Sequence, residues 1–219
     1  MIRLLAVIIL SLSWATIADA DPRQDWIEAQ KREHRPVLSN ILADAQYQTL
    51  ATLCPADVFA QDARRSTGSA ECRKNPGWCL IKCRGGQGKA CFGVARAIQT
   101  EMEDVGEATF TYPMFMAACA IGHANGCTNA GAAVKNGSWI AGTRPDHVAD
   151  RACQFRTYDA ACTAGASWGC FMLGLEWGVE GVNGQTDQQK AKAAWQRSCV
   201  LGPNGSACAA SERRLSQDQ

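Results

Sequence analysis

Cysteines constrain this sequence more strongly than any other feature, because eight of its 12 cysteines form four pairs that recur at similar intervals. The members of a pair lie eight residues apart in the first three pairs and nine apart in the fourth. The pairs are Cys83 with Cys91, Cys119 with Cys127, Cys162 with Cys170, and Cys199 with Cys208. First cysteines recur at intervals of 36, 43 and 37 residues. Periods of that size are typical of a repeated supersecondary unit.

Glycines and aromatic residues keep the phase of the first cysteine. A glycine stands three residues after each one, at Gly86, Gly122, Gly165 and Gly202. Glycine enters the left-handed conformation that ends many helices without steric cost. Three units also have an aromatic residue one helical turn before the first cysteine, at Phe115, Tyr158 and Trp195. The first half of each unit is therefore predicted to be a helix that ends at a glycine.

Small residues keep the phase of the second cysteine. One directly precedes every second cysteine, and three units have another four residues after it. These positions are Ala90, Gly126, Gly169 and Ala207, and then Ala95, Gly131 and Gly174. Positions four residues apart share one face of a helix, so the second half of each unit is predicted to be a helix with a narrow face. Each unit is then two helices joined by a short turn, an αα-hairpin.

Helices joined this tightly bring the two cysteines of a unit within bridging range, which predicts four disulfides, one for each pair given above. The remaining cysteines are Cys54, Cys72, Cys79 and Cys153, for which three connectivities are possible. Pairing Cys72 with Cys79 is the most local choice and leaves Cys54 to reach Cys153. The sequence does not rank the three connectivities.

The first twenty residues, MIRLLAVIILSLSWATIADA, have one arginine, an apolar run and a small-residue cleavage pattern. This pattern predicts a signal peptide over residues 1–20 that is cleaved after Ala20. No later segment has eighteen continuous apolar residues, so no membrane span is expected in the mature chain. An even number of cysteines behind an export signal predicts the periplasm or the outside of the cell as the compartment.

One segment carries a longer pattern than the cysteines alone. Its residues are Leu173, Gly174, Trp177, Gly181, Val182, Asp187, Lys190, Ala191, Trp195 and Cys199. The segment resembles a Sel1-like repeat, and with its paired cysteines the chain is similar to the cysteine-rich secreted Sel1-repeat proteins of bacteria. The match is most complete over residues 153–208, good over 110–137 and partial over 79–98. The resemblance implies an all-α, right-handed solenoid of αα-hairpins related to tetratricopeptide arrays, with first helices lining the concave side.

Three regions follow from these observations. Residues 1–20 form the signal peptide. Residues 21–78 form an N-terminal helical cap, with apolar residues at helical spacing, and an irregular connection containing cysteines and a turn at Asn75-Pro76-Gly77. Residues 79–219 form four Sel1-like repeats and end in the polar stretch SERRLSQDQ, as expected of a C-terminal cap that faces solvent.

Several kinds of chemistry find no support in the sequence. A formal charge of +1 gives no basic field for nucleic acid. Neither C-x-x-C nor paired histidines are present, so no metal site is expected. The G-x-S-x-G around Ser167 lacks a later histidine, and RGGQGKA at residues 84–90 departs from the phosphate-loop pattern, so both are interpreted as repeat turns. We expect no catalytic, cofactor-binding or metal-binding residues.

Rare side chains outside the repeat pattern are weighed individually. His123 and His147 are expected to be solvated polar residues, because neither has a catalytic carboxylate by spacing except Asp146 beside His147. Trp139 and Trp168 fall in loops and turns. Half-buried packing is favoured for both, and a role as exposed binding anchors is the alternative.

The leading hypothesis for function is a non-catalytic module that binds a protein, a peptide or a cell-wall partner on its concave face. The resemblance offers an enzyme as the alternative, because some cysteine-rich members are described as binding or slowly hydrolysing β-lactams. The chain has no S-x-x-K, S-D-N or K-T-G motif, which argues against a serine β-lactamase of the usual kind. A third hypothesis is thiol–disulfide exchange by a cysteine pair outside the four periodic pairs, drawn from Cys54, Cys72, Cys79 and Cys153.

Overall fold

The computed structural model of the chain describes residues 45–60, 75–102, 111–135, 151–181 and 184–217, with residues 28, 32, 43 and 72 individually. The expected signal peptide, His34, Trp139 and His147 lie outside this set. In chain order, the α-helices are α1 Ala45–Ala51, α2 Pro55–Val58, α3 Pro76–Arg84, α4 Gly88–Met102, α5 Thr111–Ala120, α6 Ala124–Lys135, α7 Arg151–Thr163, α8 Ser167–Leu175, α9 Gln188–Leu201 and α10 Ser206–Gln217. A π-helical segment, Glu176–Glu180, continues α8. The described residues contain no β-strand, so the part of the chain they cover is all-α.

Eight of these helices form pairs joined by short turns: α3 with α4, α5 with α6, α7 with α8, and α9 with α10. In the first three turns the expected glycines have φ values of 84° at Gly86, 87° at Gly122 and 92° at Gly165. The N–H of each glycine donates to the carbonyl of the cysteine three residues earlier, at 2.8 to 3.0 Å. The following N–H reaches one residue further back, which completes a Schellman motif.

The fourth turn corrects the expectation for Gly202. This glycine has φ −153° and ψ 74°, so it does not adopt the left-handed conformation. Pro203 follows it, and a proline disfavours helical values in the residue before it. The turn is also one residue longer than the other three, so its helices are joined without a left-handed residue at Gly202.

Six disulfides join all 12 cysteines. Four of them close the helix pairs, and these are the pairs that the spacing predicts, with Cα–Cα distances of 4.3 to 4.6 Å. The other two are Cys72–Cys79 and Cys54–Cys153, which is the connectivity that follows from the most local choice. A covalent framework of this density belongs to proteins that fold in an oxidising compartment.

Residues 75–77 do not form the expected turn, because helix α3 begins there. Asn75 is the N-cap, and its side-chain oxygen accepts a hydrogen bond from the N–H of Trp78 at 3.0 Å. Pro76 occupies the first helical position, where its missing N–H costs nothing. Asn-Pro therefore starts a helix here. The residues that follow, Cys79 and Leu80, are buried, so packing against the core stabilises the helix.

Glycines set the closest contacts between helices. A Cβ added at Gly126 would lie 2.7 Å from the Cβ of Ala118, and one added at Gly169 would lie 2.9 Å from the Cβ of Ala161. The narrow face therefore lets the two helices of a pair meet at the turn. Gly131 contacts the Tyr158 ring of the next pair, and Gly174 contacts the Trp195 indole of the pair after that.

Helix α5 is the most enclosed helix of the described part. Residues Thr111 to Cys119 are all buried, because α4 and α6 pack on it and so do α1 and α2. Cys54–Cys153 and an ion pair of 3.0 Å between Arg156 and Asp57 hold the α2 segment against α7. None of the described helices is both long and apolar enough to cross a bilayer.

Candidate binding cleft

The serine of the G-x-S-x-G motif has a structural role. The Ser167 hydroxyl donates to the carbonyl of Ser198 at 2.9 Å, and the Ser198 hydroxyl donates to the carbonyl of Ser167 at the same distance. Ser167 is the first residue of α8, and Ser198 lies on α9. The pair joins one helix pair to the next, so this hydroxyl makes a structural contact.

His123 is buried, not solvated as expected. Its ring stacks on Phe92, with 4.5 Å between ring centroids, and Nδ1 accepts a hydrogen bond from the N–H of Gly126 at 3.2 Å. The imidazole thus caps the start of α6 and covers an aromatic ring. The expectation treated His123 as a polar residue in a turn, but the neighbouring helix α4 supplies the aromatic surface that covers it.

A cleft of about 450 Å³ crosses the second helices of all four pairs. Its lining residues are Phe92 and Arg96 on α4; Asn125, Thr128, Asn129 and Ala132 on α6; Trp168 and Met172 on α8; and Ser206 on α10. Helix α6 contacts both α4 and α8, so we describe α6 as the floor and α4 and α8 as the two walls, with Ser206 of α10 at the margin. Sequence reasoning did not single out this set, apart from Trp168.

The lining residues have a common phase that the sequence contains. Asn125, Trp168 and Ser206 each stand two residues before the second cysteine of their unit, and Phe92 and Thr128 stand one residue after it. The narrow face of each second helix turns toward its neighbours, and these positions lie beside that face. Counting from the second cysteine, rather than the first, is the signal that finds the cleft.

The polar side chains on the cleft floor have donors and acceptors that the described residues do not use. Within the described part of the chain, the side-chain amides of Asn125 and Asn129 make no hydrogen bond. The Thr128 hydroxyl donates to the carbonyl of Ala124 at 3.1 Å and keeps its acceptor lone pairs. Two half-buried carboxamides, each with two donors and an acceptor, therefore line the cleft on adjacent turns of α6.

Aromatic and charged groups form the walls. Trp168 is 41% exposed, a large exposed fraction for an indole, and its ring meets Phe171 edge-on at 5.3 Å. On the opposite wall, Arg96 is half-buried, and a short hydrogen bond to Gln99 orients its guanidinium. Arg96 is the one charged residue in the lining. The cleft thus offers an aromatic surface, amide groups and one positive charge.

The first helices, where a ligand surface was expected, are partly covered by the chain itself. α1 and α2 lie on α5, and Val58 and Phe59 pack against the cluster formed by Cys119, Cys127 and Ala161. Residues Thr111 to Cys119 are buried and therefore offer no surface to a ligand. The expectation of a concave face lined by first helices stays a prediction.

A buried carboxylate lies apart from the cleft, at the junction of α6, α7 and the π-helical segment. Glu176 is 2% exposed, and its oxygens lie 3.3 Å from Lys135 Nζ and 3.9 Å from Arg151. Both cations also contact Glu180, at 3.2 and 3.4 Å. Two acids and two bases pair completely, so the cluster joins three elements and keeps no unpaired charge of its own.

Two phenols are buried without a hydrogen-bond partner among the described residues, those of Tyr112 and Tyr158. Burial raises the pKa of both hydroxyls above the ordinary tyrosine value, and the negative charge of Glu176 adds to the rise for Tyr158. Both are core residues, and neither lines the cleft. Cys199, Cys208 and Glu212 lie close together, but the two sulfurs are bonded to each other and present no thiolate to a metal.

Comparison of the chain with family models, with curated proteins and with solved structures finds no match.

Proposed function

We propose that this chain is an exported, disulfide-braced, right-handed solenoid of αα-hairpins of the Sel1-like repeat type, and that it binds a protein or peptide partner. Its binding surface is the cleft on the second helices, defined by the nine lining residues given above. The protein has no catalytic role in this proposal. It acts by holding a partner in the periplasm or outside the cell.

Support for the architecture comes from the repeated geometry. Four helix pairs each carry one disulfide, and three of the four turns contain a glycine of positive φ at the same position. Consecutive helices contact one another in chain order, as in an array whose units pack only on their neighbours. The framework of six disulfides supports an exported chain.

The observation that carries the binding role is the unused polar capacity of the cleft floor beside an exposed indole. The carboxamides of Asn125 and Asn129 are open to solvent and have no partner among the described residues, so a ligand can bond them without breaking a contact within the protein. Tryptophan is among the residues most often found as an energetic anchor of interfaces. A surface that combines the two offers a partner both hydrogen bonds and an apolar anchor.

A photo-cross-linking experiment tests the proposal in the native host. A benzophenone amino acid replaces Met172 inside the cleft or, as the matched control, Ile81, which is 72% exposed on α3 outside it. We expect a discrete adduct from position 172 that is absent from position 81 and is lost when Trp168→Ala is added. Identical adducts from both positions, or none from position 172, contradict the proposal.

A further inference from the structure

Cys199 is the most accessible cysteine of the chain. The other 11 cysteines are buried, with at most 4% of each residue exposed, whereas Cys199 is half-buried. Its bond to Cys208 closes the fourth helix pair, and residues 203–205 of the turn between them are all exposed. Within the described part of the chain, no later helix pair covers this one. Of the six disulfides, Cys199–Cys208 is therefore the one most open to an external thiolate.

The places of the two cysteines on their helices favour one direction of exchange. Thiol–disulfide exchange begins when a thiolate attacks one sulfur and expels the other as a thiolate. Cys199 lies in the last turn of α9, and Cys208 lies in the first turn of α10, where the helix dipole stabilises a negative charge. Attack at the more exposed Cys199 therefore expels the better stabilised thiolate. The other three helix pairs share this arrangement, so exposure is what distinguishes the fourth.

A carboxylate beside the bond opposes this exchange. Glu212 follows Cys208 by one helical turn, and its carboxylate lies within 4.8 Å of both sulfurs. Its negative charge repels an approaching thiolate and disfavours the thiolate that leaves. Glu212 is exposed, so solvent weakens both effects without removing them. The charge of this side chain therefore sets how fast the bond exchanges.

Helix α10 has few contacts besides this bond to hold it in place. Its buried residues are Ala207, Cys208, Ala210 and Ser211, none of them larger than cysteine. Its one large apolar side chain, Leu215, is only half-buried. The Ser211 hydroxyl is buried without a hydrogen-bond partner among the described residues, which weakens the docking of α10. A helix of 12 residues is marginal in water by itself, so α10 depends on its contacts with α8 and α9.

Detachment of α10 would alter the cleft. Ser206, the first residue of α10, lies at the cleft margin, and α10 contacts α8, the helix that carries Trp168 and Met172. We propose that Cys199–Cys208 is a redox-sensitive disulfide whose reduction by a dithiol detaches α10 and weakens the binding of a partner in the cleft. The dithiol gives up two electrons and two protons and becomes a disulfide, while the two cysteines become thiols. The weakened binding rests on the proposed function, whereas the selective reduction does not.

Partial reduction tests the first step without any partner. The oxidised chain of residues 21–219 is treated with limiting dithiothreitol, trapped by alkylation and analysed by mass spectrometry. We expect Cys199 and Cys208 to be labelled about tenfold faster than Cys162 and Cys170, the buried pair of the preceding hairpin. In the protein reduced at this one bond, amide hydrogen exchange should become faster in α10 and remain unchanged in α5.

Charge variants separate chemical exchange from a general loosening of the fold. Glu212→Gln should raise the rate at which dithiothreitol reduces Cys199–Cys208 severalfold, because the charge that repels the thiolate is gone. Asp159→Asn, which removes an exposed carboxylate on α7, is the matched control and should leave this rate unchanged. Equal effects of the two variants contradict the role of Glu212.

The benzophenone at position 172 tests the second step. Replacement of both Cys199 and Cys208 by alanine removes the bond permanently, and we expect the adduct yield to fall about fivefold or more as the docked fraction of α10 falls. Ser211→Ala in that background should recover part of the yield, because α10 then docks without burying an unpaired hydroxyl. Ser216→Ala, at an exposed position of the same helix, is the control and should recover none.

Three results overturn the inference. Equal reduction rates for Cys199–Cys208 and Cys162–Cys170 remove the selectivity on which it depends. An undiminished adduct in the double-alanine variant overturns the weakened binding, and the proposed function then stands without this regulation. If position 172 gives no adduct even in the oxidised protein, the proposed function fails and the weakened binding fails with it, while the alkylation rates still decide whether this disulfide is reduced selectively.

Discussion

Ser167 and Ser198 exchange hydrogen bonds through their hydroxyls and main-chain carbonyls, each at 2.9 Å, although 31 residues separate them in the chain. Ser198 is fully buried on α9, and Ser167 begins α8. The reciprocal bond joins the third and fourth helix pairs, together with the bond from the Trp195 indole to the carbonyl of Phe171. It also accounts for a serine that a motif search would assign to catalysis.

Removal of this contact should be costly and cooperative. We expect Ser198→Ala to lower the free energy of unfolding by about 1–2 kcal/mol, because a buried acceptor loses its donor. Ser167→Ala should cost a similar amount, and the double variant should cost less than the sum. Urea unfolding of the four proteins gives the coupling. Ser216→Ala, on the exposed surface of α10, is the control and should change stability by less than about 0.5 kcal/mol. Simple additivity would show that the two serines act independently.

The contact of Gly174 with Trp195 predicts an unusually damaging glycine-to-alanine change. A Cβ at Gly174 would overlap the indole of Trp195, which is 2% exposed and has its N–H bonded to the carbonyl of Phe171 at 3.3 Å. We expect Gly174→Ala to lower the free energy of unfolding by about 2–3 kcal/mol, even though alanine favours helix.

The matched control is Gly85→Ala. Its new Cβ would have only ordinary contacts at 3.4 Å or more, and the φ of residue 85 is −76°, which alanine adopts readily. Its stability should change by less than about 1 kcal/mol. Adding Trp195→Phe to Gly174→Ala should recover part of the loss, because the smaller ring leaves room for the methyl group. Equal effects of the two glycine variants in thermal unfolding would refute the steric explanation.

Two glutamates in the same ion cluster should differ in importance because they differ in burial. Glu176 is 2% exposed and Glu180 is 36% exposed, yet both contact Lys135 and Arg151. We expect Glu176→Gln to lower the free energy of unfolding by about 1–3 kcal/mol, since the two cations lose a partner shielded from solvent. Glu180→Gln should cost less than about 1 kcal/mol. Urea unfolding at low and high salt measures both losses. A larger loss for Glu180→Gln than for Glu176→Gln would show that surface charge, not burial, dominates.

The buried phenol of Tyr158 should make the protein sensitive to alkali. Burial raises its folded-state pKa above the unfolded value of about 10, so the stability it contributes is complete below about pH 10 and is lost as the pH rises toward the folded-state pKa. Tyr158→Phe should remove a hydroxyl without a partner and raise the free energy of unfolding at pH 7 by about 1 kcal/mol.

Thermal melts between pH 7 and pH 11 test both parts of this prediction. Tyr158→Phe should flatten the fall in Tm above pH 10 only in part, because Tyr112 is buried with a raised pKa as well. Tyr47→Phe is the control, since the Tyr47 hydroxyl already contacts the Cys83 sulfur at 3.8 Å. A Tyr158→Phe protein less stable than the original at pH 7 would mean that the hydroxyl is satisfied in solution.

Disulfides should differ in their contribution according to the loops they close. Cys54–Cys153 joins residues 99 apart, and Cys199–Cys208 joins residues nine apart. On the chain-entropy model, the first contributes about 4.7 kcal/mol and the second about 2.6 kcal/mol. We expect replacement of both cysteines by alanine to be more destabilising for Cys54 and Cys153, measured by non-reducing urea unfolding. Full reduction should abolish the helical circular-dichroism signal at 37 °C, and a signal that persists would contradict this.

Local features of this fold could be predicted from the sequence, because the physics behind them is local. A glycine three residues after a cysteine predicts a left-handed helix end, and three of four turns have one. Where the prediction failed, at Gly202, the cause was also local, in the proline that follows. The four short disulfides follow from the same reasoning, since a tight turn leaves the two cysteines few other partners.

Long-range pairings needed the tertiary structure. The sequence contains the small residue Gly174 and the aromatic residue Trp195 as two separate periodic features, and only packing shows that one receives the other. Cys54–Cys153, the burial of His123 and the cleft from Phe92 to Ser206 depend on which helix faces meet. Periodicity determines what each helix carries on each face. The rotation and neighbours of a helix are decided by the summed contacts of the whole core, which no single segment of sequence contains.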